Sequence, residues 1–77
     1  MENITWGTWC LHNIVSFVNK HEGMGELPEL IRLLEAMGWR HSLTTYRQKR
    51  KHIYEVLRQA RRDGKSTIRI EGELLVV

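Results

Sequence analysis

The sequence lacks paired cysteines, long apolar stretches, linkers and repeats, and each of these absences excludes a class of structure. It has one cysteine among its 77 residues, which excludes an internal disulfide and favours a reducing, cytoplasmic compartment. No apolar stretch approaches the roughly 20 residues of a membrane-spanning helix. Linkers, repeats and low-complexity segments are also missing. We therefore expect residues 1–77 to form one small cytoplasmic domain with a thin core and no membrane association.

Motifs for enzymatic or metal chemistry are missing as well. The four histidines and Cys10 have neither Cys-x-x-Cys nor His-Glu-x-x-His spacing, so we expect ordinary surface histidines and no metal site. The glycines of "EGMG" precede an acidic helix instead of following a strand, which argues against a phosphate-binding glycine loop. No serine, histidine and acidic residue suggest a catalytic triad. We expect no enzymatic activity and no cofactor.

What the chain does have is an uneven distribution of charge. Residues 1–38 contain two basic and five acidic residues, and residues 39–65 contain nine basic and two acidic residues. Residues 66–77 contain one basic and two acidic residues. The modest net charge of +3 therefore conceals a segment with a net charge of +7. Like charges on one helix repel each other, so such a segment is most readily tolerated where solvent or an anionic partner compensates it.

Apolar spacing predicts two helices before this basic segment. The first runs from about Thr8 to His21, with Gly23 suited to the left-handed residue at its end. The second has about ten residues, with Pro28 at its first position and Gly38 at its end. Its apolar face consists of Leu30, Ile31, Leu34 and Met37. The apolar stripes of these two helices and of a third helix, described below, predict one core. The residues at the centres of the three stripes are Leu11, Ile14, Val18, Leu30, Leu34, Ile53 and Leu57.

A third helix and a hairpin complete the predicted fold, which is mainly α with a C-terminal β-hairpin. Thr45 and Gln48 have the capping-box spacing, although Ser42 or Thr44 could cap the helix instead. The helix ends at "RRDG". Its predicted buried stripe contains Tyr46, Ile53, Leu57 and Ala60. In "KSTIRIEGELLVV" two β-prone segments flank a turn at Glu71 and Gly72.

This order of elements, with "SLTTYRQKRKHIYEVLRQARRDG" followed by two strands, resembles winged helix-turn-helix proteins. The resemblance is one of order and pattern, and it covers residues 8–77. It implies a three-helix winged helix-turn-helix domain whose third helix enters the major groove of double-stranded DNA, in a transcriptional regulator or an accessory factor. The predicted wing turn is short and carries Glu71 and Glu73, which would repel phosphate. The third helix should therefore carry more of the DNA contact than the wing.

The expected contacts are base readers and phosphate neutralisers. Arg47 pairs well with guanine, Gln48 with adenine, and Lys51 lies beside them at the exposed start of the helix. Arg50 lies near the edge of the buried stripe and would have to extend outward. The residues expected to neutralise backbone phosphates are Lys49, Arg58, Arg61, Arg62 and Lys65. The complete set of expected DNA-binding residues is Thr44, Thr45, Arg47, Gln48, Arg50, Lys51, Arg58, Arg61, Arg62 and Lys65.

Other interpretations of the same features stay open at this point. A basic helix face can simply be solvated, or the fold can be a protein-interaction module, a phage or mobile-element adaptor or inhibitor that binds a cellular protein. Trp6, Trp9 and Trp39 either complete the core or form a dimer or partner contact. We also expect a weak or DNA-assisted homodimer through the N-terminal segment and the first helix.

Overall fold

The computed structural model describes residues 6–39 and 45–77 of the chain. Three helices and three short strands make up the fold, in the order α1, β1, α2, α3, β2 and β3. The helices are α1 (Trp6–Lys20), α2 (Leu27–Ala36) and α3 (Tyr46–Arg62), and the strands are β1 (Met24–Glu26), β2 (Arg69–Glu71) and β3 (Leu74–Val76).

The predicted fold class, three helices followed by a C-terminal β-hairpin, is confirmed and gives a winged-helix-like arrangement. In the hairpin, β2 and β3 pair antiparallel around a turn formed by Gly72 and Glu73. Gly72 has a φ of +63°, and glycine at this first turn position is typical of a type II′ hairpin turn. The predicted turn was one residue early, because Glu71 belongs to β2.

Strand β1 is a third strand that sequence analysis did not predict. It pairs antiparallel with β3, with Gly25 opposite Leu75, so the sheet has the order β1-β3-β2. Gly25 is buried, and a Cβ atom there would lie 2.4 Å from Cε2 of Phe17. Only glycine lets α1 approach the strand so closely. The C-terminal hairpin is thereby joined to the connection between α1 and α2.

The helix ends follow the sequence signals with small shifts. Helix α1 begins at Trp6 instead of Thr8, and the N–H of Gly23 donates to the carbonyl of Val18 at 2.9 Å, as in a Schellman motif. Gly23 has the predicted left-handed backbone, with a φ of +94°, and Glu22 before it, with a φ of 59°, is also left-handed. Helix α2 has ten residues, as predicted, with Pro28 in its first turn.

The core is one cluster of buried side chains between the helices and the sheet. Its members are Cys10, Ile14, Phe17, Val18, Leu27, Leu30, Ile31, Leu34, Trp39, Ile53, Leu57, Ile68 and Leu75. The predicted core is therefore confirmed except at Leu11, which is only partly buried at its edge. Two other predicted apolar positions are wrong, because Met37 is 45% exposed and Tyr46 is 40% exposed.

The aromatic residues help to close this small core. Trp39 is buried in the cluster and Trp9 packs against it, which confirms the core interpretation for these two residues. The side chain of Trp6 lies outside the described part of the chain. His52 is partly buried, with its ring centroid 6.0 Å from that of Trp39, so the prediction of a surface histidine was wrong at this position.

Candidate nucleic-acid interface

The solvent-facing side of α3 carries five side chains that we call the basic face, Arg47, Lys51, Tyr54, Arg58 and Arg62. They lie at intervals of three or four residues along the helix, so they project on the same side. All five are exposed, whereas the side chains that α3 turns towards the core are buried. The apolar stripe thus fixes the rotation of the helix and leaves this face to solvent.

The cations of the basic face do not take part in the contacts that hold the described part of the chain together. The side chains of Arg47, Lys51, Arg58 and Arg62 make no ion pair or hydrogen bond with another residue within 6–39 or 45–77. The same is true of Lys65, which is exposed three residues after α3. These five positive charges are therefore available to an anionic partner.

The start of α3 is fixed by the predicted capping box. The N–H of Gln48 donates to Oγ1 of Thr45 at 3.1 Å, and the N–H of Thr45 donates to Oε1 of Gln48 at 3.2 Å. Gln48 is exposed, but its side-chain oxygen already accepts a hydrogen bond, and pairing with adenine requires that same oxygen as an acceptor. Thr44, also among the expected contacts, lies outside the described residues.

Arg50 is turned towards the hairpin. Its Nη2 donates to the carbonyl of Gly72 at 2.8 Å, and its Nε lies 3.7 Å from Oε1 of Glu73. The hydroxyl of Tyr46 donates to the other carboxylate oxygen of Glu73. Loss of water around the ring and this hydrogen bond raise the pKa of Tyr46 to about 12. The first turns of α3 therefore hold the tip of the hairpin through two side chains, which is why Tyr46 is outside the core.

Two further cations of α3 stabilise contacts between elements. Arg61 is partly buried, and its Nη1 donates to the carbonyl of Ile68 at 2.9 Å, just before β2. Lys49 pairs with Glu35 of α2, and its side chain is only 19% exposed. Both residues were expected to neutralise DNA phosphates. The structure places them at the junctions of α3 with the hairpin and with α2.

The hairpin tip presents acidic side chains, as the sequence indicated. Glu73 is held by Arg50 and Tyr46, and Glu71 accepts from Nε of Arg69 at 2.7 Å. The tip therefore carries no unpaired cation, whereas the basic face carries four. A polyanion would meet the favourable potential along α3 and not at the end of the hairpin.

Tyr54 is the residue of this surface that sequence analysis missed. It lies seven residues after Arg47 and four before Arg58, so helical spacing alone places it among the cations. Its side chain is 42% exposed. An open concavity of about 380 Å³ lies beside it and is lined by Arg47, Arg50, Lys51, Tyr54 and Glu55. The basic face thus has an aromatic ring at its centre and a depression next to that ring.

Three further observations on residues 6–39 and 45–77 concern metal ligands, the single thiol and membrane-spanning helices. They contain no group of three or more histidine, cysteine, aspartate or glutamate side chains that could hold a metal ion. Cys10 is completely buried, and burial raises the pKa of its thiol to about 11, which disfavours the nucleophilic thiolate. Over the same part of the chain, no helix combines the length and apolar character needed to cross a membrane.

Comparison of the chain with protein-family models, with curated proteins and with solved structures gives no significant match.

Proposed function

We propose that this protein binds double-stranded DNA through the basic face of α3, with the helix in the major groove, and acts as a transcriptional regulator or an accessory factor. The observation that carries the proposal is the division of the cations of α3 into two groups. Arg50, Arg61 and Lys49 bond to other elements, whereas the four cations of the basic face have no partner in the described part of the chain.

The dimensions of α3 suit this role. Its 17 residues give a rod roughly 26 Å long, and the major groove of B-DNA, about 12 Å wide, admits an α-helix. Some side chains of the basic face can contact phosphates on the groove wall while their neighbours on the same face reach the base edges. Arg47, near the start of the helix, has the bidentate geometry that suits guanine.

The Arg50 and Arg61 contacts give this surface a fixed shape. They connect α3 to the hairpin at two points, near the start and the end of the helix. A recognition surface held by packing and hydrogen bonds loses less conformational entropy on binding than a mobile one. We therefore assign these two arginines, together with the Thr45 and Gln48 cap, to positioning the helix.

Fluorescence anisotropy with labelled random-sequence duplex DNA at several salt concentrations tests the proposal. Neutralisation of five phosphates by the free cations should give a plot of log K against log salt with a slope of roughly −4.5. Lys51→Ala should make that slope less negative by about one unit. The matched control is Lys20→Ala, which removes an exposed lysine from the end of α1 and should leave the slope unchanged.

Absence of duplex binding at low salt would contradict the proposal, and so would equal effects of Lys51→Ala and Lys20→Ala. The second outcome would mean that attraction to net charge, and not the basic face, is being measured.

A protein-interaction module is the second candidate, and one observation favours it. The outer face of the sheet exposes Met24 (53%) and Leu74 (37%), and Val77 at the end of β3 is 60% exposed. Exposed apolar side chains grouped on one face are typical of protein contacts. This face lies on the sheet and not on α3, so a protein partner there would leave the basic face free.

A further inference from the structure

We propose that Tyr54 is a specificity-determining residue that recognises the C5 methyl group of a thymine in the major groove. The inference rests on the proposed function, because it concerns what the basic face reads once α3 lies on duplex DNA. Tyr54 has no place in the core or in the hairpin contacts, so the fold alone does not account for a large aromatic residue at this position.

The ring of Tyr54 lies at the middle of the basic face. Tyr54 is the ninth of the 17 residues of α3, near the midpoint of the helix. Lys51 lies one turn before it and Arg58 one turn after it on the same side. Phosphate contacts made by these flanking cations would fix the register of the helix, with the ring between them on the side of α3 that faces the groove.

The two tyrosines of α3 differ in their contacts. The hydroxyl of Tyr46 donates to Glu73 and thereby has a defined structural role. The hydroxyl of Tyr54 makes no hydrogen bond to any residue within 6–39 or 45–77, and the side chain is 42% exposed. Its ring therefore leaves apolar surface in water that a partner could cover.

The exposed ring is chemically suited to the thymine methyl group. Tyr54 is the one apolar side chain of the basic face, and the thymine methyl is the one apolar group that base pairs present in the major groove. The concavity of about 380 Å³ beside the ring has room for a methyl-bearing base edge. Arg47 and Lys51 on its wall can meet guanine or phosphate at neighbouring positions. This arrangement favours a thymine adjacent to the base that Arg47 contacts.

The test combines protein variants with DNA duplexes from which one methyl group has been removed. A duplex is first selected from a random library, and each of its thymines is then replaced singly by deoxyuridine, which removes only the methyl group. Anisotropy should show that the parent protein loses about fourfold in affinity at one thymine, the amount expected for one buried methyl group. Tyr54→Phe should keep this sensitivity, because the ring remains. Tyr54→Ala should bind thymine and uracil duplexes equally.

Tyr54→Gln is the second variant, since glutamine is a good helix former and circular dichroism can confirm that α3 is intact. It should also lose the distinction between thymine and uracil. Retained sensitivity in both Tyr54→Ala and Tyr54→Gln would overturn the inference, and so would a selected site in which no thymine responds. Stronger binding of single-stranded oligonucleotides, weakened by Tyr54→Ala, would also overturn it by indicating stacking on unpaired bases. If the parent protein fails to bind duplex DNA at all, the proposed function itself fails.

Discussion

Replacing Arg50 with alanine should destabilise the protein even though Arg50 lies in the most basic stretch of the sequence. The substitution removes the 2.8 Å hydrogen bond to the carbonyl of Gly72 and the 3.7 Å ion pair with Glu73. A hydrogen bond with a charged partner contributes roughly 1.5–3 kcal/mol when buried, and an exposed ion pair less than about 1 kcal/mol. The Arg50 side chain is 37% exposed, which places the expected loss at about 1–2 kcal/mol.

The assay is urea unfolding followed by tryptophan fluorescence, with thermal melts beside it. For a domain of this size, the expected loss lowers Tm by roughly 4–15 °C. The matched control is Arg47→Ala, which removes the same charged group from a side chain without a partner in the described structure and should change stability by less than about 0.5 kcal/mol. Arg50→Lys should be intermediate, because an ammonium group keeps the charge but not the guanidinium geometry. Equal stabilities of Arg50→Ala and Arg47→Ala would refute the assignment of Arg50 to the hairpin.

Three further perturbations test other parts of the structure. Leu34→Ala truncates a completely buried side chain and should cost about 2–5 kcal/mol in urea unfolding, and a loss below about 1 kcal/mol would contradict its central position in the core. Gly25→Ala places a Cβ atom 2.4 Å from the ring of Phe17 and should cost about 1–3 kcal/mol, whereas a neutral effect would mean that β1 lies farther from α1. The pKa of Tyr46 in the folded state, about 12, lies above the ordinary tyrosine value of about 10, so the stabilising contribution of the protonated hydroxyl is complete below pH ~10 and is lost as the pH rises towards 12. Unfolding free energies measured from pH 9 to pH 11.5 should therefore fall more steeply for the parent than for Tyr46→Phe, and parallel curves would contradict the contact with Glu73.

Local signals in the sequence predicted the helices well. The apolar spacing around Ile14, Leu34 and Leu57 identifies side chains that are completely buried, because a helix that packs on one side must repeat its apolar residues at the helical period. The Thr45 and Gln48 pair also forms the predicted cap, since its hydrogen bonds involve only residues three apart.

Features that depend on distant residues were not predictable in this way. Strand β1 is three residues long and is defined by pairing with β3, which lies about 50 residues later in the chain. Tyr46 has the helical phase of a core residue, yet its hydroxyl is held by a carboxylate 27 residues away. Arg50 and Arg61 each donate to a backbone carbonyl, which carries no signature in the sequence.

For the candidate site, the sequence predicted the exposed cations of the basic face but not which cations of α3 bond to other elements. Helical spacing placed Lys51, Arg58 and Arg62 on the exposed side of α3, where they lie in the structure. The same spacing also places Tyr54 there, although Tyr54 lacks the charge that identifies its neighbours on this face. Which cations are free and which are bonded within the fold depends on tertiary contacts that sequence spacing does not contain.

An amide chemical-shift titration of the isotopically labelled protein with duplex DNA tests the central proposal most directly. DNA bound through the basic face should perturb the amides of α3 from Arg47 to Arg62 and that of Lys65, with the resonances of Met24 and Leu74 on the outer sheet face nearly unchanged. Raising the salt concentration should reverse these shifts together. Shifts concentrated at Met24, Leu74 and Val77, or spread evenly over the surface, would contradict recognition by α3.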